Sequence, residues 1–191
     1  MKTSNDHTPQ VPHLGPNTAD YFFLGFLALV LVAVTWLGIK NYGEGLKTET
    51  SKLNGETWAA WMTEAGTTRF DGNPKHSACK GGVKPGADAK PDAPGTWGAC
   101  LKYLMAETEL KDLINPFFKE QPKLIAQCVP SDRSTPGAIV IEDLMPTPPG
   151  SALPFVASQL VEADPIDYKM QLRITVCDKG GYPIKIAELE F

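Results

Sequence analysis

The stretch YFFLGFLALVLVAVTWLGI, residues 21–39, holds nineteen consecutive positions without a charge. At about 1.5 Å of rise per residue such a helix covers roughly 28 Å, close to the hydrocarbon thickness of a bilayer. Tyr21, Phe22 and Phe23 at one end, with Trp36 and Tyr42 at the other, are the residue types that settle at membrane interfaces. A soluble core helix rarely needs an apolar run of this length. A cleaved signal peptide fits no better. Residues 1–20 carry one lysine against two aspartates, so the positive n-region is missing, and no Ala-x-Ala site closes the run. The reading is therefore a polar tail or leader over residues 1–20, an uncleaved transmembrane helix over 21–39, and a water-exposed remainder.

Working outward, the helical pattern continues past the apolar run. Residues 44–65 contain no proline, and Leu46, Leu53 and Ala60 recur every seven positions. Thr50, Thr57, Trp61 and Glu64 sit on or near the same stripe, so residues 40–66 are expected to form an amphipathic extension of the span. Gly43, Gly45 and Gly55 each weaken a helix by about 1 kcal/mol relative to alanine, which places a kink near Gly43–Gly45. Gly66 is expected to end the helix as a C-cap residue.

Residues 67–191 read as one extracytoplasmic domain. Residues 67–98 form a loop, glycine- and proline-rich in its middle and too poor in apolar surface to order itself. A second helix is expected over 99–114, with Leu101, Leu104, Met105 and Thr108 on one face and Glu107 paired with Lys111; Asn115-Pro116 stops it. The last third is strand-like. Short strands are expected over 138–142 and 153–162. Over 168–177 strict alternation puts Tyr168, Met170, Leu172, Ile174 and Val176 on one side and Lys169, Gln171, Arg173, Thr175 and Cys177 on the other, the mark of a sheet with one buried face. Residues 178–181 turn the chain, and 183–191 returns antiparallel with a bulge near Ala187, where the apolar phase shifts. The fold class that results is α+β: a long N-terminal helix packed on a C-terminal antiparallel sheet.

The net charge is -4 and the basic residues never cluster, which excludes a nucleic-acid-binding stripe. Cys79, Cys100, Cys128 and Cys177 are even in number and widely spaced. They form no Cys-x-x-Cys pair and have only His76 beside them in the domain, so two disulfides in an oxidising compartment fit better than zinc. Cys79 and Cys100 bracket the loose loop, and Cys177 is placed to reach Cys128, although four cysteines allow three connectivities. Positive-inside counting, with Lys2 against Lys40, Lys47 and Lys52, leans away from export of the domain; the cysteines decide for an exported one. No Asn-x-Ser/Thr sequon occurs, which favours a bacterial inner membrane with the domain in the periplasm or on the cell surface.

Catalytic signals are nearly absent. His76 lies near Asp71 and Ser77 in sequence but in a loop, where a solvent-exposed histidine is the plain expectation. Glu107, Glu109 and Asp112 look like a solvated helix face. Asp88 and Asp92 lack the ligand order of a calcium loop. No phosphate-cradling glycine motif or haem motif is present, and the apolar span holds no ionisable residue. The chain is thus expected to be no enzyme, with no cofactor, its partners being membrane lipid and other membrane subunits or copies of itself.

An N-terminal apolar helix running into an amphipathic half, a cysteine-bracketed loop and a closing antiparallel sheet together resemble the type IV pilins and pseudopilins. The resemblance is one of layout and covers most of the chain. It implies that the apolar half packs in a filament core while the sheet rests on the amphipathic half. Gly25, Ala28, Ala33 and Gly38 would permit close helix contacts in such a core. Members of that family are cut after a glycine and carry a glutamate soon after; here Gly15 is followed five residues later by Asp20, which the resemblance would pair with a neighbouring subunit's amino terminus. The match departs at Pro16 and in the polar run 16–20, where the family is apolar. A single-span accessory subunit of an inner-membrane complex, with a periplasmic docking domain, is the alternative.

Overall fold

The computed structural model describes residues 17–86 and 89–191, so the residues ahead of Asn17, with Gly15 and Pro16, and Asp88 of the calcium reading lie outside the described residues. The chain divides into two units, one ending at Gly43 and one comprising residues 44–191. Helix α1 (Thr18–Thr68) supplies all the described secondary structure of the first.

In that first unit every described residue from Asn17 through Tyr42 is exposed. The helix is long and apolar enough to cross a membrane, with a mean hydropathy of 2.5 over its most apolar eighteen-residue window. Helix is the form such a run must take, since it satisfies its backbone polar groups internally. Thr35 follows the same rule, its hydroxyl donating to Leu31 O at 2.8 Å.

The second unit is the α+β domain expected. The remainder of α1 packs on a four-stranded antiparallel sheet of order β2-β1-β3-β4, built from β1 (Ile139–Pro146), β2 (Phe155–Gln159), β3 (Gln171–Cys177) and β4 (Pro183–Glu190). Met170, Leu172, Ile174 and Val176 are buried, as the alternation demanded, and join Trp58, Met62, Ile139, Ile141 and Phe191 in one core. Tyr168, at the start of the same alternation, is instead exposed. The bulge falls one residue before Ala187: Ile174 pairs with Ala187 but Thr175 with Lys185, leaving Ile186 as the extra residue. Ile186 then packs against the core and touches the space at Gly55.

Two local expectations are corrected. Helix α1 ends at Thr68, two residues beyond Gly66. Gly66 serves contact instead of capping: a Cβ there would sit 2.8 Å from Glu190 O. The buried stripe is also not the one read from the sequence. Ser51, Asn54, Gly55, Trp58, Met62 and Ala65 are buried, whereas Leu46 and Leu53 are 50% and 60% exposed. Leu53 and Met62 lie nine residues apart, about 180° around a helix, so the two stripes cannot both be inward. Trp58 and Met62 supply the apolar bulk of the inward face, and Gly55 lets the helix lie close to the sheet, where a Cβ would come within 2.6 Å of Val176 Cγ2.

Helix α2 (Trp97–Glu107) begins two residues earlier than expected, where Thr96 Oγ1 accepts Ala99 N–H, and stops seven residues earlier. Thr108 ends it. Its backbone is extended, its hydroxyl donates to Leu104 O and accepts Leu110 N–H, and a 3-10 turn (Glu109–Asp112) follows. Glu107 and Lys111 therefore fall on different elements and make no ion pair. On the far side of β3, Thr175 and Cys177 are buried, not open, because Cys177 joins Ala138, Val140, Ile125 and Cys128 in a small second cluster.

Candidate functional site

The residues singled out from the sequence fall into two groups. Cys79 is bonded to Cys100 and Cys128 to Cys177, so all four cysteines are paired as the sequence reading suggested. The first bridge ties the loop after α1 to α2, and the second pins the irregular stretch before β1 to the end of β3.

Asp20, Gly25, Ala28, Ala33 and Gly38 all lie on the exposed surface of α1 in the first unit. They do not form one stripe. At about 100° per residue, Ala28 lies some 60° from Gly25, Ala33 a further 140° and Gly38 another 140°. Gly25 and Gly38 have open space where a Cβ would stand. Asp20 has a local partner: Asn17 N–H donates to its Oδ2 at 2.8 Å, while Thr18 N–H donates to Asn17 Oδ1 at 2.8 Å. This is a reciprocal cap on the amino end of α1, satisfying donors the helix leaves free. Its sequence signal, Asn three residues before Asp at the head of an apolar run, was available.

His76 is a correction. Far from being solvent-exposed, it is buried between Trp61 and Tyr103, with ring centroids 5.6 and 5.9 Å away in edge-on geometry. Neither ring nitrogen has a hydrogen-bond partner, so it is not joined to Asp71 or Ser77. Burial pushes its pKa below the ordinary 6.5; Glu64 opposes that shift and Lys75 adds to it. Those two charges form an ion pair beside it.

Arg69 was not singled out at all. Its side chain is fully buried, stacked between the rings of Phe191 (4.3 Å to the centroid) and Phe70 (4.9 Å), and one terminal nitrogen donates to Tyr168 O at 2.8 Å and to Ile166 O. Burial lowers its pKa to about 10, which leaves it charged at neutral pH. The site is structural: the guanidinium gathers the strand entry at Ile166–Tyr168 onto the end of α1. An arginine one residue past a helix, followed by phenylalanine, gave no periodic signal to find it by.

Among the described residues no group of three metal-ligating side chains occurs. The hollow beside α2 is lined by Ser77, Lys80, Asp92, Lys102, Tyr103 and Glu107 and holds no histidine to act as a base. Part of what the domain offers outward is apolar. Leu46 and Leu53, with exposed Ala60 a further seven residues on, form a line on α1 turned away from the sheet. Compared with known protein families, with curated proteins and with solved structures, the chain matches none.

Proposed function

We propose that this chain is a non-catalytic, membrane-anchored structural protein, pilin-like in build, that assembles through α1 into a filament or a surface or secretion apparatus, with its disulfide-stapled domain in the periplasm or on the cell surface. The observation that carries the reading is the outward seam. A helix serving only as a tether would turn its leucines to the sheet. Here the buried face is Ser51, Asn54, Gly55, Trp58 and Met62, while Leu46, Leu53 and Ala60 face out at the seven-residue spacing that suits another helix. Burying a leucine against a neighbour stabilises by roughly 1.5–3 kcal/mol, a gain available only on assembly. Electron microscopy of surface filaments, with mass spectrometry of the mature amino terminus, tests it. Filaments lost in Leu53→Lys, while the isolated protein keeps its fold, are expected. An intact tail from Met1 and no assembly in the parent protein would sink the filament.

A second reading is supported by the polar run 16–20, which departs from the pilin pattern. It makes the chain a single-span accessory subunit of an inner-membrane complex. Purification in mild detergent separates the two, because an accessory subunit leaves with partners in fixed stoichiometry and a filament subunit with copies of itself.

A further inference from the structure

The two edges of the sheet are built differently. At one edge β4 carries Lys185, Glu188 and Glu190 and is broken by the extra residue Ile186. Charges and bulges of this kind keep edge strands from pairing with other chains. At the other edge β2 has neither. Residues 144–161 carry no charge, and Leu153, Phe155, Val156 and Val161 are all exposed. Among the described residues no further strand, bridge or backbone hydrogen bond reaches the outer side of β2.

The register settles which backbone groups point outward. Thr147 N–H donates to Pro154 O at 3.1 Å, continuing the ladder in which Pro146 faces Phe155 and Met145 faces Val156. Antiparallel pairs alternate between bonded and unbonded, so Val156 and Ser158 bond β1, while Phe155, Ala157 and Gln159 turn their N–H and C=O groups away from it. The other side of β1 agrees: Cys177 N–H donates to Ala138 O at 3.0 Å, which sets the even residues of β1 toward β3 and the odd ones toward β2. Pro154 belongs to the inward set, so its missing N–H does not blunt the open side.

Three outward residues centred on Ala157 make a self-complementary edge. Turned about a two-fold axis at Ala157, two copies pair Phe155 with Gln159 and Ala157 with itself, for about six hydrogen bonds. The same register sets Val156 opposite Ser158 and, just past the strand ends, exposed Leu153 opposite exposed Val161. Alanine stands on the axis, where a bulky side chain would meet its own image. No like charges are brought together, because residues 144–161 hold none. Sliding two residues either way leaves one outward residue of each strand unpaired and separates Leu153 from Val161.

We propose that β2 joins β2 of a second copy of this chain, edge to edge and antiparallel across a two-fold axis at Ala157, making one continuous sheet of the two. The contact lies wholly within the domain and is separate from the assembly through α1 proposed above. A pair of five-residue strands is smaller than the roughly 1,200–2,000 Å² of a stable dimer, so it forms reversibly, where copies are concentrated. The test uses the full chain in lipid vesicles at several protein-to-lipid ratios, mildly oxidised, with cross-links identified by mass spectrometry. Ala157→Cys is expected to bond to its counterpart, since Cα atoms of a bonded antiparallel pair lie about 5.5 Å apart, within disulfide reach. Lys185→Cys, exposed on the guarded edge, is expected not to. Adding Gln159→Pro to Ala157→Cys removes an outward N–H and no bond to β1. It is expected to lower the cross-link by about tenfold or more while thermal unfolding stays that of Ala157→Cys. Adding Gln159→Val, which keeps that N–H, is expected to leave the cross-link in place. Ala60→Cys reads the assembly through α1 separately. Cross-linking at Ala60→Cys without any at Ala157→Cys overturns the edge contact and leaves that assembly standing. Cross-linking at Ala157→Cys alone upholds the edge contact without the assembly. Equal yields at Ala157→Cys and Lys185→Cys, or a yield untouched by Gln159→Pro, mean chance collision and overturn the contact. A photoreactive side chain at Ala157 that is captured in cells only by a different polypeptide gives the edge to another partner and overturns the second copy.

Discussion

At Arg69 a guanidinium is buried with two carbonyls and two aromatic rings as company and no ion-pair partner, although the charge of Asp167 is near enough to offset part of the burial cost. Its Nε and second terminal nitrogen have no partner. Truncation therefore opens a hole and strands two carbonyls, whereas an apolar side chain of similar length fills the hole and strands the carbonyls alone. Arg69→Ala is expected to cost about 3–5 kcal/mol and Arg69→Met about 1–3, measured by denaturant unfolding of the full chain in mild detergent. Equal costs would show that the carbonyl contacts, not packing, decide. His76 gives a pH signature. Its folded pKa lies below the 6.5 of an unfolded histidine because burial disfavours the charged ring. Between the two values the unfolded state binds more protons, so this group's contribution is complete above pH 6.5 and is lost as pH falls below it. Glu64 softens the effect and Lys75 sharpens it. His76→Phe keeps an aromatic ring in the cage and is expected to remove this part of the stability loss on acidification from pH 7 to 5. A difference curve between parent and variant that stays flat over that interval would contradict it.

At the scale of elements, α1 distinguishes three glycines that its sequence treats alike. Gly45 has open space around a Cβ; Gly55 would press one on Val176 and Ile186 side chains; Gly66 would press one on backbone atoms of Glu190 and Phe191. Gly45→Ala is expected to stabilise by about 1 kcal/mol from helix propensity. Gly55→Ala should cost about 1–3 kcal/mol as its neighbours shift, and Gly66→Ala more than that, because strand backbone does not yield as a side chain does. Thermal unfolding of the three variants checks the order. The same helix explains what could be foreseen. The apolar run, the α+β class, the buried side of β3, the bulge and the presence of two disulfides, though not their pairing, followed from period, charge and cysteine count. The inward face of α1 did not, because Ser51, Asn54 and Gly55 dilute the stripe that Trp58, Met62 and Ala65 define, while Leu46 and Leu53 mark a competing one. Thr108 stopped α2 by a hydroxyl bridge that leaves no periodic trace, and Arg69 and His76 are buried by tertiary contacts that no local rule marks.

At the scale of the molecule, the described residues of the domain include two long stretches of little regular structure, residues 80–86 with 89–96 and residues 113–138, and each is tied down by one disulfide. The bonded pairs are separated by 21 and 49 residues. Closing loops of that size removes roughly 3–4 kcal/mol of unfolded-state freedom apiece. Such bonds persist in oxidising compartments, in keeping with the exported domain proposed above. The covering of β3 by the Cys128 segment points the same way, since reduction would free the strip that buries Thr175 and Val140. Sidedness and redox state are therefore one question, and a single measurement answers both. A membrane-impermeant thiol reagent applied to intact cells is expected to leave the protein unlabelled. The same reagent applied after reduction of the intact cells by an impermeant reductant is expected to label it, first at half-buried Cys128 and its partner. Labelling without reduction would show free thiols and remove the oxidising compartment. Labelling that appears only after the cells are opened would place the domain inside, and the assembly outside the membrane would go with it.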